Sequence, residues 1–233
     1  MKQVFAVLNE MVRDGALEDY AVAGAIGAMF YVEPFSTQDI DVLVIMPEDG
    51  IVIELPGIDY LKARGYTEFR NEGIVIEDWP VQFLPATTDL EREAYLNAEI
   101  SNFEEVPVRV ALAEHLVAIM LKVGRPKDLA RIQMFLEHDA VKMDKLNDVI
   151  QRHGLTEKWA DYNRKFAVKE NSEVAKFYRH KDQQRKARAK RPVAEKLAVA
   201  TKLRDVQQKL APARVANKAK RAAGKIEIRI KTA

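Results

Sequence analysis

Apolar positions recur at helical spacing from the start of the chain. Val4, Leu8, Met11 and Val12 share one face and Gly15 follows as a stop, which predicts an amphipathic helix. Residues 20–23 form a short apolar run ending at Gly24, a pattern that predicts a strand feeding a turn. Residues 25–32 suit a helix closed by Pro34. The β-branched run at 40–45 predicts a strand, bounded by Pro47 and the turn residues Glu48, Asp49 and Gly50. A helix over 56–64 ends at Gly65, and two extended segments at 73–77 and 81–84 flank Asp78, Trp79 and Pro80 as a tight connection. Residues 89–98 read as helix. Residues 106–110 read as a strand at a sheet edge, because Pro107 cannot donate to a ladder.

The texture changes at Leu112. Leu116, Ile119, Met120 and Val123 give one apolar helical face, and Gly124-Arg125-Pro126 breaks it. Pro126 suits the first turn of a second helix carrying Leu129, Ile132, Met134, Phe135 and Leu136. Further helices are predicted near 143–152 and 157–166. Residues 181–191 are too basic and polar to bury anything. Pro192 then opens a helix in which Val193, Leu197, Ala200, Leu203, Val206 and Leu210 form an apolar stripe. The alternating run at 225–231 predicts a terminal strand. The pattern as a whole is α+β: a mixed sheet flanked by helices over 1–110, a helical domain over 111–178, and a tail over 179–233.

Charge sharpens the last boundary. Residues 179–233 hold 18 Lys/Arg against 4 Asp/Glu, a net of +14, whereas the other 178 residues carry 19 against 31, a net of −12. A tail of this kind meets polyanions or folds back on an acidic surface. With no cysteine in the chain, disulfides, thiolate metal sites and thiol nucleophiles are excluded. No apolar run has the length of a membrane helix, and Glu10 within the first segment argues against a secretory signal. These features predict a cytoplasmic protein with no membrane partner.

The candidate chemistry lies at Asp39 and Asp41. Alternation along a strand sends both side chains to one side and turns Ile40 and Val42 to a core. Two carboxylates so close repel each other unless a cation sits between them. Oxygen-only ligation suits Mg²⁺, which accepts substrate phosphates as further ligands. The Gly24 turn upstream opens a helix whose first amides can receive a phosphate. Alone, an Asp-x-Asp strand is more often a solvated face. Strand, glycine turn, helix and acidic strand in succession give it context.

Gly24 and Ala25, a spacer of 13 residues, and then Asp39-Ile40-Asp41 resemble the nucleotidyltransferase superfamily signature. The stretches GAIGAMFYVEP at 24–34 and EHLVAIMLKVGRPKD at 114–128 are similar to the AbiEii-like group, bacterial proteins that include toxins of toxin–antitoxin and phage-defence systems. The resemblance covers about half the chain. It implies a nucleotidyltransferase-like fold in which Asp39 and Asp41 hold Mg²⁺ on a nucleoside triphosphate. It assigns Gly24, Ala25, Thr37, Lys122, Arg125 and Asp128 to the nucleotide, with Lys122 and Arg125 on its phosphates. The alternative for those two cations is an exposed helix C-terminus, where the dipole favours them. Two departures stand out. Ala25 has no hydroxyl where the family has glycine or serine, and the position matching the family's third carboxylate is Gln82, with Glu77 and Asp78 as substitutes in another register.

Three functions follow. The first is an enzyme moving a nucleotide to an RNA, protein or small-molecule hydroxyl. The second is a catalytically weak relative that binds nucleotide or RNA. The third is a regulatory protein acting through its tail, which would bind nucleic acid, dock on and occlude the body, or meet an antitoxin-like partner.

Overall fold

The computed structural model describes residues 1–46, 57–166 and 184–231, with side chains to 212 in the last stretch. In chain order the first half comprises α1 (Lys2–Arg13), β1 (Ala21–Val22), α2 (Gly24–Met29), β2 (Ile40–Val44), α3 (Ile58–Ala63), β3 (Phe69–Arg70), β4 (Gly73–Ile76), β5 (Trp79–Pro85), α4 (Asp89–Leu96), β6 (Glu99–Phe103) and β7 (Val106–Val110). The second half is helical: α5 (Ala113–Val123), α6 (Pro126–Glu137), α7 (Met143–Arg152), α8 (Thr156–Phe166), α9 (184–189) and α10 (Val193–Lys231). The fold is α+β. Pro47, the turn residues 48–50 and Pro56 lie outside the described residues.

The strands form one mixed sheet in the order β3-β4-β5-β2-β1-β7-β6. β2 runs parallel to β5 and antiparallel to β1, and the two margins are antiparallel hairpins. Two cores follow from strand alternation. Ile40, Val42 and Val44 of β2 face a core shared with Val4, Phe5, Leu8 and Met11 of α1 and with Leu197 and Ala200 of α10. Leu43, on the other face, joins a core built on Leu116, Val117 and Leu121 of α5, Ile132 and Phe135 of α6, and Leu146 and Ile150 of α7. Helix α4 starts with a capping box in which the Thr88 hydroxyl and the Glu91 carboxylate each accept from the other's backbone amide.

Several expectations are corrected. β7 is not an edge strand, since β6 lies outside it and β1 inside. The proline rule still holds locally. β1 meets β7 only at Val110, so no strand lies on that side of Pro107, and the Pro107 carbonyl accepts from Asn9 of α1 at 2.8 Å. Trp79 and Pro80 belong to β5 itself, and the turn is Glu77-Asp78, both at positive φ. Residues 225–231 continue α10 instead of forming a strand. A helix closes its backbone bonds within itself, whereas a strand needs a free partner.

The tail docks on the acidic body. Arg185 is half-buried among carboxylates, and Lys196 and Arg204 are buried outright. Only the first half of the predicted α10 stripe is used, through Leu197 and Ala200; Leu203, Val206 and Leu210 are exposed. Arg204 takes the buried place on the next turn, its guanidinium over the Trp79 ring at 3.7 Å and donating to the Asp78 carbonyl at 3.1 Å. The long stem of arginine packs on an aromatic while its head finds acceptors, so a polar position displaces the apolar stripe.

Candidate active site

Asp39, just ahead of β2, and Asp41 within it emerge on the sheet face that looks toward α5 and α6, opposite the buried Ile40 and Val42. A cavity of about 530 Å³ opens there. Its floor is β2, Gln82 and Leu84 of β5, and the Gly24-Ala25 start of α2. One wall is the apolar face of α5, Leu116, Ile119, Met120 and Val123; the other is the start of α6 with Arg125, Lys127, Asp128 and Arg131. The cavity therefore sets the Asp39/Asp41 pair opposite Arg125, Lys127 and Arg131, with a nonpolar flank beside them and Glu72, Glu91 and Asp128 also in its lining.

Local constraints place each group. Gly24 has φ +54°, and a Cβ there would overlap the Asp41 carboxylate, so only glycine permits this approach. The Thr37 hydroxyl donates to Asp39 Oδ1 at 3.1 Å. Gln82 lies directly across from Asp41 in the parallel register; its amide nitrogen donates to Asp39 Oδ2 at 3.4 Å and to the Asn71 carbonyl at 2.5 Å. On α6, the buried Asp128 accepts from Arg125 Nε at 2.5 Å and from Arg131 Nη1 at 3.4 Å. Those bonds fix two guanidinium groups, and Arg131 is held further by stacking 4.8 Å from the Phe35 ring centre.

Asp41 is electrostatically unfavourable. Burial first, and then the Asp39 charge, push its carboxyl up to about 6, although Arg131, Arg125 and Lys127 pull the other way. The cations of the wall therefore do not offset burial and the Asp39 charge at Asp41. A hard cation with open coordination positions fits it, bound by two carboxylates and completed by water or phosphate oxygens. Among the described residues no three His, Cys, Asp or Glu side chains form a metal cluster. Glu77 and Asp78 do not substitute. They sit at the β4–β5 turn, lining a separate hollow with Tyr66, whose hydroxyl donates to Glu77. Glu72, at the β3–β4 turn, does line the cavity.

Of the residues singled out from sequence, Gly24, Ala25, Thr37, Asp39, Asp41, Arg125 and Asp128 all line this cavity, and Lys122 does not. The cavity face of α5 follows 116, 119, 120 and 123, and position 122 turns off it. Lys127 and Arg131 were missed. Arg131 falls one turn beyond Asp128, an i,i+3 spacing that marks a shared face.

No protein-family model matches the chain, and no curated protein matches it. Among solved structures, the chain is similar to ANT(2")-Ia, whose crystal structure is in complex with adenylyl-2"-tobramycin. The identity is 16%, covering 68% of this chain and 98% of that one, with a TM-score of 0.43. A likeness at that score is too slight to bear on the chemistry. Among the described residues no helix is long and apolar enough to cross a membrane.

Proposed function

We propose that the cavity is the active site of a nucleotidyltransferase, in which a hydroxyl acceptor attacks the α-phosphorus of a nucleoside triphosphate, the bond to the β-phosphate oxygen breaks, and pyrophosphate leaves. The observation that carries this reading is the paired carboxylates, Asp41 held partly buried beside Asp39 against the glycine turn, facing the cationic start of α6. Asp39 and Asp41 would hold Mg²⁺, which when bound neutralises phosphate charge and the charge developing at the transferred phosphorus. Arg125, Lys127 and Arg131 receive the phosphate tail, their positions set in part by Asp128. Thr37 and Gln82 orient Asp39. The α5 wall offers the base an apolar surface, and positioning accounts for most of the catalysis.

The acceptor is an RNA, protein or small-molecule hydroxyl. Transfer of α-³²P from each nucleoside triphosphate in Mg²⁺ tests the reading, with cellular RNA, protein and small-molecule fractions as acceptors. Label should pass to an acceptor with the wild type and fall by roughly 10³-fold in Asp39→Ala/Asp41→Ala. No transfer by the wild type to any fraction refutes the enzyme. Gln82 favours a second reading, since an amide ligates more weakly than a carboxylate and cannot serve as a base. Under that reading the protein binds nucleotide without turnover, and binding persists where transfer is absent. The AbiEii-like stretches at 24–34 and 114–128 extend the proposal to a toxin, which predicts growth arrest on expression that depends on Asp39 and Asp41.

A further inference from the structure

The basic tail touches the elements that carry the cavity, yet among the described residues none from α9 or α10 lines it. Arg185 of α9 bridges two carboxylates, Nε to Glu33 at 2.6 Å and Nη1 to Glu137 at 2.5 Å. Glu33 lies just past the C-terminal end of α2, and Glu137 is the last residue of α6. Arg188 adds a second pairing to Glu33 at 3.4 Å. The buried Lys196 ammonium donates to the carbonyl of Phe30, the C-cap of α2, at 3.2 Å, and to Ala189 at the end of α9 at 3.0 Å. Arg204 grips the turn before β5, and Gln207 accepts from Gln38, the neighbour of Asp39, at 2.8 Å.

The geometry has a consequence for the cavity. Helices α2 and α6 start at the cavity, with Gly24 and with Arg125 to Arg131, and finish at the Arg185 bridge. A planar guanidinium can hold two acids at a fixed separation, where an ammonium on a flexible stem holds one well. Without the bridge, two poorly exposed carboxylates would face each other without that cation, which drives them apart.

We propose that α9 and the first half of α10 form an internal strap, with Arg185 as a positioning residue that sets the spacing between the Asp39/Asp41 floor and the cationic wall of α6. The described part of the tail is then a built-in brace of the cleft. The catalytic consequence rests on the proposed nucleotidyl transfer; the brace itself does not.

Hydrogen exchange and kinetics on the full chain test it, using Arg185→Gln and the milder Arg185→Lys. In Arg185→Gln, amide exchange should rise about tenfold or more at 27–33 and 133–138 and stay near wild type in α1 and β7. Arg185→Lys should give the same pattern at smaller amplitude. Because the α6 cations hold substrate in the ground and transition states alike, KM for the nucleoside triphosphate should rise roughly tenfold with kcat nearly unchanged, and Arg185→Lys should recover part of it. A brace without bearing on the site would lower kcat through lost folded enzyme and leave KM in place. Unchanged exchange at those two ends, a uniform rise across the chain in both variants, or an unmoved KM overturns the proposal. If the wild type transfers no nucleotide, the proposed function fails, and the exchange pattern still decides the strap.

Discussion

Helix α5 contributes to two carboxylate centres, and they are built oppositely. At the cavity, Asp39 and Asp41 stand together on β2, and the Asp41 carboxyl is pushed up to about 6 by burial and by its acidic neighbour. At the other centre, the single Glu93 carboxylate of α4 is met at 3.0 Å by His115, at 2.7 Å by His153 and at 2.6 Å by Arg152. Burial alone would raise Glu93 too, but those three partners outweigh it and bring the group to about 2. One centre is satisfied by the protein itself and ties α4, α5 and α7 together. The other is left with like charges side by side, the arrangement in which the proposed cation would supply the missing charge.

The largest expected contrast is in activity. Asp39→Ala/Asp41→Ala removes nucleotidyl transfer, by the roughly 10³-fold given above, while Glu93→Gln leaves the rate per folded molecule within about twofold. Stability should run the other way. Without metal, Asp41→Asn is expected to be more stable than wild type at pH 7, on the order of 2 kcal/mol. The sign follows from the raised folded value. The ionised carboxylate is the costly form, so the wild type loses stability relative to Asp41→Asn as pH rises from about 4 through 6, and the two proteins converge below pH 4. Denaturant melts in EDTA at pH 4 and 7 measure it, and an Asp41→Asn protein less stable at pH 7 contradicts the frustrated pair. Mg²⁺ should raise the wild-type midpoint only.

Glu93→Gln is expected to destabilise by about 1–2 kcal/mol, allowing for solvent screening. Because its folded value is depressed, that stability is present above about pH 4.5 and is lost as pH falls toward 2. A variant whose deficit persists unchanged at pH 2 would show that packing, not charge, carries the effect. The smallest change is Gln82→Glu, which places a third acid opposite Asp41. It should tighten Mg²⁺ several-fold and lower metal-free stability by less than about 1 kcal/mol, read by calorimetric titration and by melting. Weaker Mg²⁺ binding would mean that Gln82 is a positioning donor whose amide matters more than an added charge.

Much of the fold was readable because its signals are local. The helical period of α1 and α5, the Gly124-Arg125-Pro126 break and the alternation of β2 each follow from a handful of neighbouring residues. β3 and β6 were not readable, for a local reason of another kind. Their hairpins turn through Asn71-Glu72 and Glu104-Glu105, as β4–β5 does through Glu77-Asp78, and each residue has positive φ with no glycine among them. Two-residue hairpin turns of that twist usually announce themselves by Asn-Gly or Asp-Gly, and each acidic residue held there costs about 1 kcal/mol or more. Among the candidate site residues, Lys122 lies one helical position off the face of α5 that lines the cavity, and Lys127 and Arg131 join the lining once α6 is set beside β2.

By itself, then, the sequence determined what periodicity and spacing can encode: the amphipathic helices, the strand presenting Asp39 and Asp41 on one side, the glycine turn that opens α2, and a tail of opposite charge to the body. Tertiary structure decided what needs partners distant in the chain. It placed β6 outside β7, set Gln82 across from Asp41, brought the α6 cations into one cavity with the acidic pair, and buried Lys196 and Arg204 while leaving Leu203 and Val206 of the apolar stripe exposed. The reason is physical. A backbone pattern is fixed by residues within a turn or two, whereas burial of a charge depends on which carbonyls, rings and counter-charges the folded chain delivers to it.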